Sequence, residues 1–234
     1  MGRRTHAAAG RLTMGQFQFG EILAHTDLLL RGVGLTAGLW AIAFACGLSF
    51  GLGVALLRLS GSRWMAWPAR LFVELFRTTP VLVQLVWFYY ALPVLTGLQL
   101  PAFWAAALAL SLNATAYCSE IYRGGIRSIV REQSEAARAL GMTSARTMRR
   151  VVLPQVMRRM LPAFTNRGVE LAKNTSVASI VTVNELLYQA RMLSSEYYLP
   201  LETFTIVAVI YFVLIYPGTL LAYGLERRYA AKGA

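Results

Sequence analysis

The chain has 234 residues, 56% of them apolar and 15% charged, and a mean hydropathy of +0.49, so it is one unit too apolar for an ordinary water-soluble domain. Twenty-three Lys and Arg against 11 Asp and Glu give a net charge of +12. The charges lie between long apolar runs, which argues against nucleic-acid binding and for anchors on the cytoplasmic side of a membrane.

In chain order, residues 1–31 carry Arg3 and Arg4 but no apolar core followed by a small-residue cleavage site, so no removable signal peptide is expected. His6 and His25, the only histidines, precede the first apolar run and read as solvated polar residues. An amphipathic surface helix around Phe17 to Leu30 is one reading of this extension. Gly32 to Leu57 is an uncharged run that, at about 1.5 Å per residue, exceeds a hydrocarbon core of about 30 Å. Its Gly34-x-x-x-Gly38 and Gly47-x-x-x-Gly51 spacings would let a neighbouring helix approach closely, although glycine is frequent throughout the run.

A second span is predicted over about Leu71 to Pro93, bent near Thr79-Pro80, with Trp87, Tyr89 and Tyr90 as an interfacial belt. Ala102 to Tyr122 forms the third and Thr203 to Tyr223, with a kink at Pro217, the fifth. The fourth, about Gly168 to Leu187, holds Lys173, Asn174, Thr175, Ser176, Ser179, Thr182, Asn184 and Glu185, so it must pack inside the bundle or border a wet cavity. Cys46 and Cys118 lie in apolar runs without C-x-x-C spacing and read as packing residues. No metal site is expected.

With five spans the termini face opposite sides. Lys and Arg number 18 in residues 58–77, 123–173 and 224–234 and five in the alternate segments, which puts the amino terminus outside. The 123–173 connection then lies in the cytoplasm and contributes +8 of the net charge. Within it Ser134 can cap a short helix through Glu135, Ala136, Ala137 and Leu140, stopped by Gly141, and Thr143 or Ser144 can cap the next. That second helix carries Met148, Val151, Val152 and Gln155 on one face and a separate basic stripe, Arg146, Arg149 and Arg150. Helix, glycine bend and helix make a compact knob, suited either to an acidic partner or to lipid head groups.

Glu135-Ala136-Ala137, Gly141, Val151 and Leu153-Pro154 at these spacings resemble the EAA loop of permease subunits of binding-protein-dependent ABC importers, with Val where Ile is usual. Val73-Glu74-Leu75-Phe76-Arg77-Thr78-Thr79-Pro80, Ser119-Glu120-Ile121-Tyr122-Arg123-Gly124-Gly125-Ile126 and Lys173-Asn174-Thr175-Ser176-Val177 resemble the polar amino acid branch. The likeness covers nearly everything from Gly32 to Arg228. It implies an all-α membrane protein with five transmembrane helices, type I ABC importer permease-like, organised as residues 1–31, a permease domain over 32–228 with the coupling loop at about 131–154, and a tail over 229–234.

The resemblance further implies that Glu135, Ala136, Ala137, Gly141, Leu153 and Pro154 couple the chain to a separate ATPase dimer, which would hold ATP and Mg. A second permease subunit, an extracytoplasmic solute-binding protein and a polar amino acid substrate complete the expected partners. This chain has no P-loop, since its only lysines are Lys173 and Lys232. It is expected to be a transporter subunit of the inner membrane, not an enzyme, with no cofactor of its own. Asn113, Ser119, Asn184 and Glu185 are the candidates for a substrate pathway; for Asn113 an interhelical hydrogen bond is an equal reading. Glu120 with Arg123 and Glu74 with Arg77 read as structural ion pairs. The fourth helix and the stretch from Glu202 to Arg228 look most like glutamate/aspartate importers. A self-sufficient secondary transporter or channel, or a permease half without a pocket of its own, are the alternatives.

Overall fold

The computed structural model describes residues 18–128, 131–147, 150–151 and 153–230, and among them every regular element is helical. A short helix α1 (Phe19–Leu23) leads into α2 (Thr26–Leu59), which starts six residues before the apolar run because Asp27 in its first turn complements the amino-terminal dipole. The boundary drawn at residue 31 therefore falls inside α2, and of the surface helix expected around Phe17 to Leu30 the described residues form α1 and the first turns of α2. His25 is not simply solvated: its Nε2 lies 2.7 Å from the Tyr197 hydroxyl.

The second span is broken rather than bent. Helix α3 (Arg63–Thr78) ends at Thr79 and Pro80, both extended, and α4 (Val81–Val86) sets off at 106° to it. The residue before a proline is pushed from the helical region, and Pro80, with no N–H to carry α3 on, stands as the N-cap of α4. A π-helical turn (Trp87–Ala91) and α5 (Leu92–Thr96) continue α4, and Gly97 at φ +72° closes α5. Helix α3 is amphipathic: Ala66, Ala69 and Val73 are buried, while Trp64, Trp67, Leu71 and Leu75 are exposed.

Helix α6 (Ala102–Arg127) is the centre of the bundle, with Ala105, Ala106, Ala109, Leu110, Ala114 and Ala116 wholly buried. Its small side chains face the glycines of α2. A Cβ on Gly47 would sit 2.8 Å from Ala114 Cβ, and one on Gly51 2.8 Å from Cys118 Cβ. Gly34, by contrast, faces open space, so only the second glycine pair seats a helix. Cys118 is a buried packing residue and Cys46 is half-buried.

The fourth span departs most from its prediction. The helix that enters this stretch is α9 (Leu153–Asn174), and it gives way to a 3₁₀ segment (Thr175–Val181), a left-handed Thr182 at φ +60° and then α10 (Leu186–Tyr197). No single helix runs from Gly168 to Leu187, because the polar residues compete for the backbone. Thr175 and Ser176 donate their hydroxyls to Ala172 O and Lys173 O, and Glu185 caps α10. Helix α11 (Pro200–Ala230) runs unbroken through Pro217. By length and apolarity alone, α2 and residues Pro200–Arg228 can cross a membrane, and α3 with Val81–Thr96 adds a third if the bent pair counts as one. Helices α6 and α9, with 26 and 22 residues, have the length, and Asn113, Thr115, Ser119 and Arg167 are their polar residues buried inside the bundle.

Candidate functional site

The coupling segment folds into two short helices, α7 (Arg131–Ala139) and α8 (Ser144–Thr147). Helix α7 begins three residues before Ser134, so that serine is not its cap. Gly141 stands at φ +76°, its N–H donates to Arg138 O at 2.9 Å and the Met142 N–H donates to Ala137 O at 3.1 Å. This double closure needs a left-handed residue after the helix, which glycine supplies without a Cβ penalty. Thr143 caps α8, its Oγ1 accepting from Arg146 N–H. Ala137 and Thr147 turn inward, whereas Glu135, Ala136 and Gly141 are at the surface and Leu140 is 83% exposed. Leu153 opens α9 and Pro154 is its second residue, where a missing N–H costs nothing. Met148, Arg149 and Val152 lie outside the described residues.

The break between α3 and α4 leaves carbonyls without a helical donor, Phe76 O because residue 80 is a proline and has no N–H. Gln84 Nε2 donates to Phe76 O, Thr79 O and Thr79 Oγ1 at 2.9, 3.0 and 2.7 Å, and Asn113 Nδ2 adds a second donor to Phe76 O at 2.9 Å. Asn113 Oδ1 then accepts from Arg167 Nη2 at 2.7 Å. Arg167, 4% exposed, also pairs with Glu170 at 2.8 Å and lies 4.1 Å over the Tyr117 ring. One network thus joins the broken helix, α6 and α9, and satisfies non-helical backbone within the bundle. Ser119 is wholly buried and returns its hydroxyl to Ala116 O in its own helix.

Glu185 is also wholly buried. It accepts from the Leu187 and Tyr188 N–H groups at 3.0 and 2.9 Å, from Thr36 Oγ1 at 3.4 Å and from the Tyr211 hydroxyl at 2.9 Å, so one carboxylate ties α10 to α2 and α11. Asn184 beside it is exposed. Tyr211 faces a cavity of about 520 Å³ that Lys173, Ser176, Tyr216 and Thr219 also line, at the point where α9 turns into the 3₁₀ segment. The four pathway candidates therefore do not form one site: Asn113 and Ser119 sit in α6, and Glu185 stands behind Tyr211. Lys173, which the sequence places in a polar helix and in the Lys173-Asn174-Thr175-Ser176-Val177 stretch, is the cavity's ammonium group. Arg167 and Tyr211 were not singled out: Arg167 falls one residue before the predicted fourth span, among the basic residues counted in the cytoplasmic connection.

Glu120 accepts from Arg58 and Arg123 at 2.6 Å and lies 3.4 Å from Arg77. The expected Glu74–Arg77 pair does not form, since Arg77 turns toward Glu120.

Residues 47–231 match the family described as binding-protein-dependent transport system inner membrane component. The chain is 40% identical over 194 residues to the octopine transport system permease protein OccM of Rhizobium meliloti, covering 80% of this chain and 79% of that protein. It is 33% identical over 210 residues to the arginine transport system permease protein ArtQ of Bacillus subtilis, covering 90% and 96%. The crystal structure of an amino acid ABC transporter with histidines superposes with a TM-score of 0.84 at 35% identity, over 91% of this chain and 99% of that one.

Proposed function

The chain belongs to the binding-protein-dependent transport system inner membrane component family, as the permease subunit of an amino acid ABC importer, and we propose that α9 is the rod by which it converts ATPase closure into alternating access. At one end of α9 is the knob of α7 and α8, whose exposed Leu140 and glycine closure suit a cleft in a separate ATPase subunit. At the other end are the Arg167–Asn113 contact and the Lys173 cavity. In this reading two ATPase subunits hold ATP and Mg, a second permease subunit completes the path, and an extracytoplasmic binding protein delivers the substrate. The amino terminus faces outward.

The observation that carries the reading is the continuity of α9 from the knob to the cavity, 22 residues or about 33 Å at the rise of a helix. The relatives are named for octopine and arginine, so the lean toward glutamate and aspartate finds no support in them. We infer recognition of what every α-amino acid carries: its carboxylate pairs with the Lys173 ammonium, and hydroxyls of Ser176, Tyr216 and Thr219 orient it.

The test is uptake of labelled arginine, glutamine and glutamate into vesicles holding this chain with its ATPase and binding protein, with and without internal ATP. ATP-dependent uptake of any of these supports the importer, and mutual competition ranks the substrates. Uptake indifferent to ATP would return the chain to the secondary transporters. Lys173→Met is expected to lower uptake at least tenfold while the binding protein's own affinity is unchanged; wild-type uptake by that variant would move the pocket to the partner permease.

A further inference from the structure

A second cavity, of about 480 Å³, lies where α2 and α6 end beside α3, and every residue lining it is charged: Arg58, Arg70, Arg77, Arg123 and Arg127 with Glu74 and Glu120. Glu120 is already shared by three of the arginines. Arg70 and Arg127 make no ion pair among the described residues, and Arg58, 9% exposed overall, keeps a buried Nε without a hydrogen-bond partner. Five guanidinium groups against two carboxylates leave three positive charges in excess around one hollow. Guanidinium forks match the oxygens of a phosphate, and such an excess in a partly buried hollow calls for an anion.

An apolar groove of about 670 Å³ lies along the same helix faces. Cys46, Phe50 and Val54 line it on α2 and continue the every-fourth-residue stripe that ends at Arg58, while Leu108, Leu112 and Thr115 line it on α6 and Phe72 on α3. From Arg58 to Cys46 the helix rises about 18 Å, comparable with half of a hydrocarbon core of about 30 Å. Beside the charged hollow, Trp64 and Trp67 of α3 are 91% and 66% exposed, the placement of rings that sit at a membrane interface.

We propose that hollow and groove together are a binding site for an anionic phospholipid, the arginines holding the headgroup phosphodiester and the groove holding an acyl chain. A free phosphate would use the hollow alone, and a zwitterionic lipid would set its own cation against the excess arginines. The site is separate from the Lys173 cavity and from the knob, and it would fasten the ends of α2, α3 and α6 to one leaflet.

The test is native mass spectrometry of the full-length chain released from nanodiscs of phosphatidylcholine and phosphatidylglycerol in equal amounts. Wild type is expected to retain phosphatidylglycerol over phosphatidylcholine by about tenfold, on the scale of about 1 kcal/mol per basic residue near an anionic surface. Arg70→Gln with Arg127→Gln, which breaks no ion pair among the described residues, is expected to bring the two lipids to parity with unchanged helical circular dichroism. Arg191→Gln, remote from the hollow, is expected to keep the wild-type ratio. Three results would overturn the proposal: parity in wild type, an equal loss in Arg191→Gln, or displacement of the lipid by millimolar inorganic phosphate, which would assign the hollow to a free anion.

Discussion

At the break between α3 and α4, two side-chain amides donate to Phe76 O, for which Pro80 has no N–H, and to Thr79 O. The cost of removing one falls on what it leaves behind: Asn113→Ala strips Arg167 Nη2 of its acceptor and leaves a buried cation short of a partner. Destabilisation of about 2 to 3 kcal/mol is expected, read as a lower midpoint when the purified chain is unfolded in detergent. Ser119→Ala, equally buried, removes a bond only to its own helix and should shift the same midpoint by less than about 0.5 kcal/mol. Equal effects from the two would mean that Asn113 does not hold the break together. Gly141→Asp acts differently. Its φ of +76° makes any side chain strained by roughly 1 kcal/mol, and the new carboxylate would stand on the knob's exposed surface. That variant is expected to reach the membrane in wild-type amounts and to lose ATP-driven uptake; normal uptake would refute the knob's coupling role.

Apolar runs long enough to cross a bilayer were legible from residues alone, and α2 and α11 stand where those runs do. The break at Thr79-Pro80 was legible as a bend. Its angle was not, because a proline shows where a helix stops and not where the next element packs. The fourth span was misread for a related reason. Arg158, Arg159, Arg167 and Glu170 hid the real helix from any count of apolar residues; of these Arg167 alone is buried, against Asn113 and Tyr117 of α6, and the other three stay exposed. The glycine pairs show the same limit: Gly34 and Gly47 have identical motif spacing, yet a Cβ would collide with α6 at Gly47 and Gly51, at 2.8 Å, and meet nothing within 4 Å at Gly34. Gly51→Leu should therefore wedge α2 from Cys118 and Ser119 and cost about 1 to 3 kcal/mol, whereas Gly34→Leu, facing open space, should be near neutral. Melting both variants in the same detergent checks the difference, and a Gly34 variant as unstable as the Gly51 one would contradict the packing.

Across the whole molecule the two ends of the bundle differ in charge. At one end are the arginine-lined hollow and the knob with its basic flanks; at the other are the loop from Gly97 to Pro101, without any basic residue, and the start of α2 held to α10 and α11 by Glu185. Transfer of many arginines across a bilayer is unfavourable, so the arginine-rich end should stay in the cytoplasm. Single cysteines decide this once Cys46 and Cys118 are changed to alanine. On intact cells a membrane-impermeant thiol reagent is expected to label Gln99→Cys and to spare Ser62→Cys and Leu140→Cys, with all three labelled after the membrane is opened. The reverse pattern would place the knob outside, away from ATP, and α9 could then no longer be a rod driven by an ATPase. Labelling of Ser62→Cys alone from outside would instead mean that α2 does not bring the chain to the side of the knob, and the headgroup hollow would lose the leaflet it needs.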